Sequence, residues 1–169
     1  MMIRRSSVAD ERRFEDFWQG ALAAQRAGGI PLWPDYLAEL IRSEIRAGLH
    51  FSAYDADGRL AGYFSLALAD PLIWAPEEKG DAVYIHRMCV NPEAKGQRFA
   101  RHVLSWACGY AAGAGRKYVR MDTWRDNARL IEYYVACGFR RVEDRHINGD
   151  HRLPAHYADI DLALFQNEL

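Results

Sequence analysis

The stretch Val90-Asn91-Pro92-Glu93-Ala94-Lys95-Gly96-Gln97-Arg98-Phe99-Ala100 constrains this chain more than any other. It reads as the end of an apolar strand, a short basic loop with one glycine, and the first turn of a helix. Upstream, residues 82–90 form a buried strand by pattern, with Val83, Ile85, Met88 and Val90 apolar. Downstream, Phe99, Val103, Trp106, Ala107, Tyr110 and Ala114 recur at spacings of three and four, which predicts a helix face. A helix entered from such a loop presents unpaired backbone N–H groups and the positive end of its dipole. Lys95 and Arg98 add charge at the same place, so the stretch is a candidate anion site, phosphate being the usual anion.

The chain's 169 residues are enough for a single domain, 1–169, with its own hydrophobic core. A formal net charge of -1 argues against a nucleic-acid partner or an anionic membrane, since both select a basic excess. No apolar run approaches a membrane span, and Met1-Met2-Ile3-Arg4-Arg5-Ser6 lacks the apolar core of a signal peptide. Cys89, Cys108 and Cys137 form no CxxC pair and sit in apolar or helical segments. Free thiols in a reducing cytoplasm, with no metal, are the expectation.

Read in order, residues 2–7 predict a first strand, and Asp10 caps a helix over 11–26 with Phe14, Phe17, Trp18 and Leu22 inward. Gly28-Gly29 and Pro31 to Pro34 break it, and a second helix is predicted over 35–47. A hairpin follows, 51–54 and 60–68 about the turn Asp55-Ala56-Asp57-Gly58. Residues 70–80 read as a surface loop. Beyond the central strand and helix come a strand over 117–124, a helix opened by Asp126-Asn127 and stopped by Gly138, a strand over 139–143, a polar loop over 146–154 and a last strand over 157–165. This order predicts a mixed α/β domain with a largely antiparallel sheet. A dinucleotide-binding fold would carry GxGxxG after its first strand, and a nucleotide-triphosphate loop would end in Gly-Lys-Ser/Thr. Neither is present.

Two motifs now resemble the GNAT superfamily of acyl-CoA-dependent N-acetyltransferases. The central stretch is similar to that family's acyl-CoA loop, with Lys95 in its basic or polar position, then Gly96 and Ala100; Arg98 stands where the family usually has a second glycine. Asn127, Tyr134, Gly138 and Phe139 match its Asn-to-Tyr-to-Gly-Phe signature with the spacing intact. The resemblance implies the GNAT fold, a mostly antiparallel sheet of about six to seven strands flanked by about four helices.

It also implies acetyl-CoA as co-substrate. The contacts would come from backbone groups of Met88, Cys89 and Val90, from Lys95, Gly96, Gln97, Arg98, Phe99, Ala100 and Arg101, and from Asn127, which is also a helix N-cap by residue type. Arg98 still serves if its position is helical, because its guanidinium reaches a phosphate oxygen. Tyr134 is the candidate acid for the CoA thiolate, with Tyr133 beside it structural. His86 is the candidate base, two residues from Met88 on the same strand face, with Asp122 and Glu132 as weaker candidates and ordered water as the other route. The acceptor pocket falls to residues 30–34, 70–78, Trp124 and 146–156. Trp33, Trp74, Asp122 and Trp124 are its candidate contacts, and Asp70, Glu77, Glu78 and Asp150 are acidic groups nearby. The same aromatics equally close a core or a homodimer contact.

The expected function is acetylation of a small-molecule primary amine by direct attack in a ternary complex. The other readings are acetylation of a protein or peptide amine and a non-catalytic acyl-CoA-binding domain. Acetylation of aminoacyl-tRNA is disfavoured by the absent basic excess.

Overall fold

In the computed structural model, residues 1–29, 32–94, 96, 98–149, 152–153 and 157–169 are described. Among them seven strands follow the hydrogen-bonded order β1-β2-β3-β4-β5-β7-β6, and five α-helices connect them, which is the mixed, mostly antiparallel α/β class that the sequence pattern predicts. None of the described helices is long and apolar enough to cross a membrane. The chain divides into two compact units, Met1–Leu66 with Arg87–Phe99, and Ala67–His86 with Ala100–Leu169.

In the first unit, β1 (Met2–Arg5), β2 (His50–Tyr54) and β3 (Leu60–Ala67) pair antiparallel, with Ile3 opposite Ala53 and His50 opposite Ser65. α1 (Glu11–Gly28) follows a 3₁₀ turn, Val8–Asp10, whose first turn is capped by Ser7 Oγ accepting from Ala9 N at 3.2 Å. Phe14, Trp18 and Leu22 recur every four residues on α1 and are buried. They pack with Ile41 of α2 (Ala38–Arg46), Tyr54, Leu60, Tyr63 and Cys89. Each such side chain contributes about 1.5–3 kcal/mol by leaving water. Two polar tips inside this core are partnered: Trp18 Nε1 donates to Pro34 O (2.9 Å) and the Tyr63 hydroxyl to Phe14 O (3.1 Å). His50 is fully buried, with Nδ1 2.7 Å from Ser6 Oγ, and burial lowers its pKa to about 4.

In the second unit, β4 (Ala82–Val90, here as far as His86) runs parallel to β5 (Tyr118–Trp124). β7 (Ala158–Glu168) pairs antiparallel with β5 and with β6 (Arg141–Asn148). Arg120 lies at the centre of the unit, 4% exposed. It donates to Gln166 Oε1 (2.7 Å), the Tyr84 hydroxyl (2.9 Å) and Glu77 O (3.1 Å), with its guanidinium 4.9 Å from the Trp74 ring centroid. α5 (Ala128–Ala136) sets Tyr134 edge-on against Phe139 and Phe165.

Four sequence expectations change. Residues 70–80 are not simply a surface loop: α3 (Pro71–Trp74) buries Ile73 and Trp74, because Arg120 needs an aromatic cover. The second helix starts at Ala38 rather than 35. The strand placed at 139–143 runs as β6 from Arg141 to Asn148, so 146–148 are paired to β7 and not looped. On α4 (Phe99–Gly113) the buried positions are Phe99, Ala100, Val103, Leu104, Ala107 and Ala111. Trp106 and Tyr110 are half-buried and stack on one another at 5.4 Å.

Within the first unit Gly62 makes a close approach. A Cβ there would lie 2.5 Å from Cys89 O and 2.6 Å from the Phe99 ring. Gly62→Ala is therefore expected to destabilise by about 1–3 kcal/mol, measured as a lowered denaturant midpoint at unchanged slope. An unaltered midpoint would mean that this contact relaxes freely.

Candidate active site

The parallel ladder between β4 and β5 registers three pairs and ends at Tyr84 opposite Arg120. His86 and Asp122, two residues further along each strand, come after the last pair. Their side chains meet there with Asp70: one ligand atom from each of the three lies within 4.8 Å of the others. Asp70 Oδ2 is 3.4 Å from His86 Nε2, with the two side chains 11% and 15% exposed. Asp122 Oδ2 accepts from the Tyr157 hydroxyl at 3.3 Å. Burial disfavours a charged imidazole, but the bond to Asp70 and the charges of Asp122 and Asp70 outweigh it, and the His86 pKa is raised above 6.5. The cluster is thus a histidine held between two carboxylates, the environment of a strengthened base or of a cation site.

On α5, Asn127 caps the helix as its residue type predicts, Oδ1 accepting from Leu130 N at 3.1 Å. Tyr134 is buried, and burial, with the charges of Tyr133, Asp122 and Cys137, holds its hydroxyl well above the usual phenol range. The group keeps its proton and is a donor. Tyr133 does more than sequence periodicity suggests: its hydroxyl accepts from Ala100 N at 3.5 Å, in the first turn of α4, while its ring is 40% exposed. Arg101, next on α4, is exposed.

The end of β4 belongs to the first unit. Arg87 is left-handed (φ 52) and ion-paired to Glu44, whose Oε2 also accepts from Ser65 Oγ at 2.5 Å. This residue interrupts the extended backbone of the strand. Met88 and Val90 are half-buried. Cys89 is buried, and its thiol is pushed up to about 12 by burial, which makes its side chain inert. Asn91 N donates to Ala61 O (2.8 Å) and its Nδ2 to Leu60 O (3.2 Å). Gly96 (φ 88) is exposed with open space where a side chain would be. Arg98 is exposed and also left-handed (φ 51), not helical as the sequence argument required. Phe99 is buried as the first residue of α4. Lys95 and Gln97 lie outside the described residues, as do Ile30, Pro31, Asp150, His151 and residues 154–156 of the acceptor-pocket segments.

Of the other acceptor candidates, Trp33 is half-buried against Trp18 at 4.5 Å, and its backbone N–H donates to Gln25 Oε1. Trp74 and Trp124 are buried. Asp122 is in the cluster with His86 and Asp70. Sequence reasoning placed Asp70 only among acidic groups near the acceptor pocket and Tyr133 only as structural; the pairing of Asp70 with His86 and the reach of the Tyr133 hydroxyl to the start of α4 are what it missed. An Asp-Pro pair in a loop signals only a turn.

Two measurements follow from these environments. In a histidine NMR titration, His86 should titrate above 6.5 and His50 near about 4. A raised value means that His86 stabilises the fold below its unfolded pKa and that this contribution is lost as pH rises through the folded one. The stability gap between wild type and His86→Gln should narrow across that window, and a widening gap would overturn the assignment. At Arg98, left-handed backbone costs about 1–2 kcal/mol, and glycine's extra unfolded-state freedom offsets part of the relief, so Arg98→Gly should gain up to about 1 kcal/mol. A lower thermal midpoint for that variant would show that Arg98 makes a compensating contact.

The sequence model of the acetyltransferase (GNAT) family matches residues 14–139. A search of curated proteins finds no match. Among solved structures, a GNAT-family acetyltransferase from Listeria monocytogenes is similar at TM-score 0.75 and 20% identity, over 99% of this chain and 94% of that one. A phosphinothricin acetyltransferase from Sinorhizobium meliloti in complex with acetyl-CoA is similar at TM-score 0.67 and 19% identity, over 99% and 88%. A spermidine N-acetyltransferase from Vibrio cholerae in complex with CoA and spermine is similar at TM-score 0.67 and 17% identity, over 99% and 94%. At such identities the likeness shows a common fold. The family match spans well over half of the sequence, and the chain belongs to the acetyltransferase (GNAT) family.

Proposed function

We propose that this protein transfers an acetyl group from acetyl-CoA to the primary amine of a small molecule, by direct attack within a ternary complex. The observation that carries the reading is the imidazole of His86 beside two carboxylates, just past the point where β4 and β5 stop pairing. An amine must lose a proton to become a nucleophile, and a histidine with a raised pKa is a competent acceptor near neutrality. The carboxylates of Asp70 and Asp122 favour the approach of a cationic ammonium to that base.

The start of α4 fits a pyrophosphate. Among the described residues the Ala100 N–H, in the first turn of that helix, meets a long bond to the Tyr133 hydroxyl. Acetyl-CoA supplies an acyl group activated as a thioester. The chain's own groups divide the rest: backbone donors at the α4 start hold phosphate, the backbone of Met88 to Val90 orients the arm, and His86 takes the ammonium proton. Tyr134 gives its proton to the departing thiolate. Burial makes the phenol a weaker acid, but the same dry surroundings make the thiolate a stronger base, so the two remain matched. Support for an amine acceptor comes from the Vibrio cholerae protein of the same fold, which is a spermidine N-acetyltransferase with CoA and spermine bound.

Tyr134→Phe should lower turnover by about 10²-fold while leaving the acetyl-CoA dissociation constant unchanged by calorimetry. Turnover at the wild-type rate would remove Tyr134 as the acid, and a protein that binds acetyl-CoA yet acetylates no amine in a broad panel would favour the binding-domain reading.

A further inference from the structure

We propose that Asp70 is a positioning residue that fixes His86 with its hydrogen on Nε2, leaving Nδ1 as the atom that accepts the substrate's proton. This rests on the reading of His86 as the base. Asp70 Oδ2 is buried, lies 3.4 Å from His86 Nε2 in a contact too long and misaligned for a formed hydrogen bond, and has no other hydrogen-bond partner among the described residues. A neutral imidazole carries a hydrogen on one nitrogen and a lone pair on the other. Turning the lone pair toward a desolvated carboxylate would set two acceptors against each other in a site with little water to screen them. Nε2 therefore keeps its hydrogen in both charge states, and proton exchange with a substrate falls to Nδ1. The long Nε2–Oδ2 distance suits an unliganded site, where such bonds tighten only once substrate is bound.

The other groups around the imidazole do not supply this orientation. Asp122 on β5 acts on His86 through its charge alone and is engaged by the Tyr157 hydroxyl. Tyr134 on α5 interacts with the charge of Asp122. Asp70 also has a backbone reason to be where it is: its N–H donates to Glu78 Oε2 (2.8 Å) and its carbonyl accepts from Trp74 N (2.9 Å). Those bonds survive replacement of the carboxylate by an amide. Asp70→Asn thus changes what faces Nε2 and leaves the turn.

The test is long-range ¹H–¹⁵N NMR of histidine-labelled protein, above the pH at which His86 titrates. Wild type should show neutral His86 as the single Nε2–H form. Asp70→Asn should show a mixture of tautomers and a titration midpoint moved to lower pH, and Asp70→Glu should restore the wild-type pattern. A wild-type Nδ1–H form would overturn the proposal without any variant. So would an Asp70→Asn protein with unchanged tautomer and midpoint. Turnover of His86→Gln is the separate check on the base: full activity there removes the base reading, while lost activity with an unresponsive Asp70→Asn removes only the positioning role.

Discussion

Two neighbouring parallel strands that stop pairing after three residue pairs leave an opening with a fixed address. Backbone groups beyond the last pair need other partners, and His86 and Asp122 lie two residues past that pair on their strands. The closed end is set by Arg120, whose guanidinium is enclosed by the Tyr84 hydroxyl, the Glu77 carbonyl, Gln166 and the Trp74 ring. A buried cation with this many partners tolerates little displacement. It pins the last pair, and the positions two residues on, His86 and Asp122, are placed as a consequence. The placement of the cluster thus depends on a structural ion that is not part of it.

The electrostatics of the cluster act in one direction on two groups. The charge of Asp122 raises both the imidazole of His86 and the phenol of Tyr134. Both hold protons more firmly than in water, one against burial and one with it. In the proposed reaction one group must gain a proton and the other lose one. A shared carboxylate that favours protonation helps the first and opposes the second, so the thiolate that receives the Tyr134 proton must itself be poorly solvated.

Sequence pattern carried the strand and helix order well because alternation and four-residue spacing report burial directly: Phe14, Trp18 and Leu22 on α1 and Asn127 at the start of α5 are where the pattern puts them. It carried less where a tertiary partner decides. α3 folds inward because Arg120 needs a cover, and nothing in Pro71-Leu72-Ile73-Trp74 names that arginine. The left-handed Arg87 and Arg98 were invisible for a different reason: positive φ is read from glycine, and neither position has one. Of the candidate site residues, His86, Asp122 and Tyr134 were named from motif and strand position. The partnership of Asp70 with His86 joins segments sixteen residues apart and has no local signature.

The loop after β4 is tied at both ends to the same short piece of β3. Asn91 bonds to the carbonyls of Leu60 and Ala61, and Phe99 sits against the bare backbone of Gly62. A loop with fixed ends has its closure entropy settled by the scaffold rather than by its own residues. Changes of side chain between the anchors are then absorbed within the loop and do not move the start of the helix. Arg98 lies between these anchors, with its left-handed backbone next to the buried Phe99. The same anchoring makes this loop a place where sequence can drift further than its role in the fold would suggest.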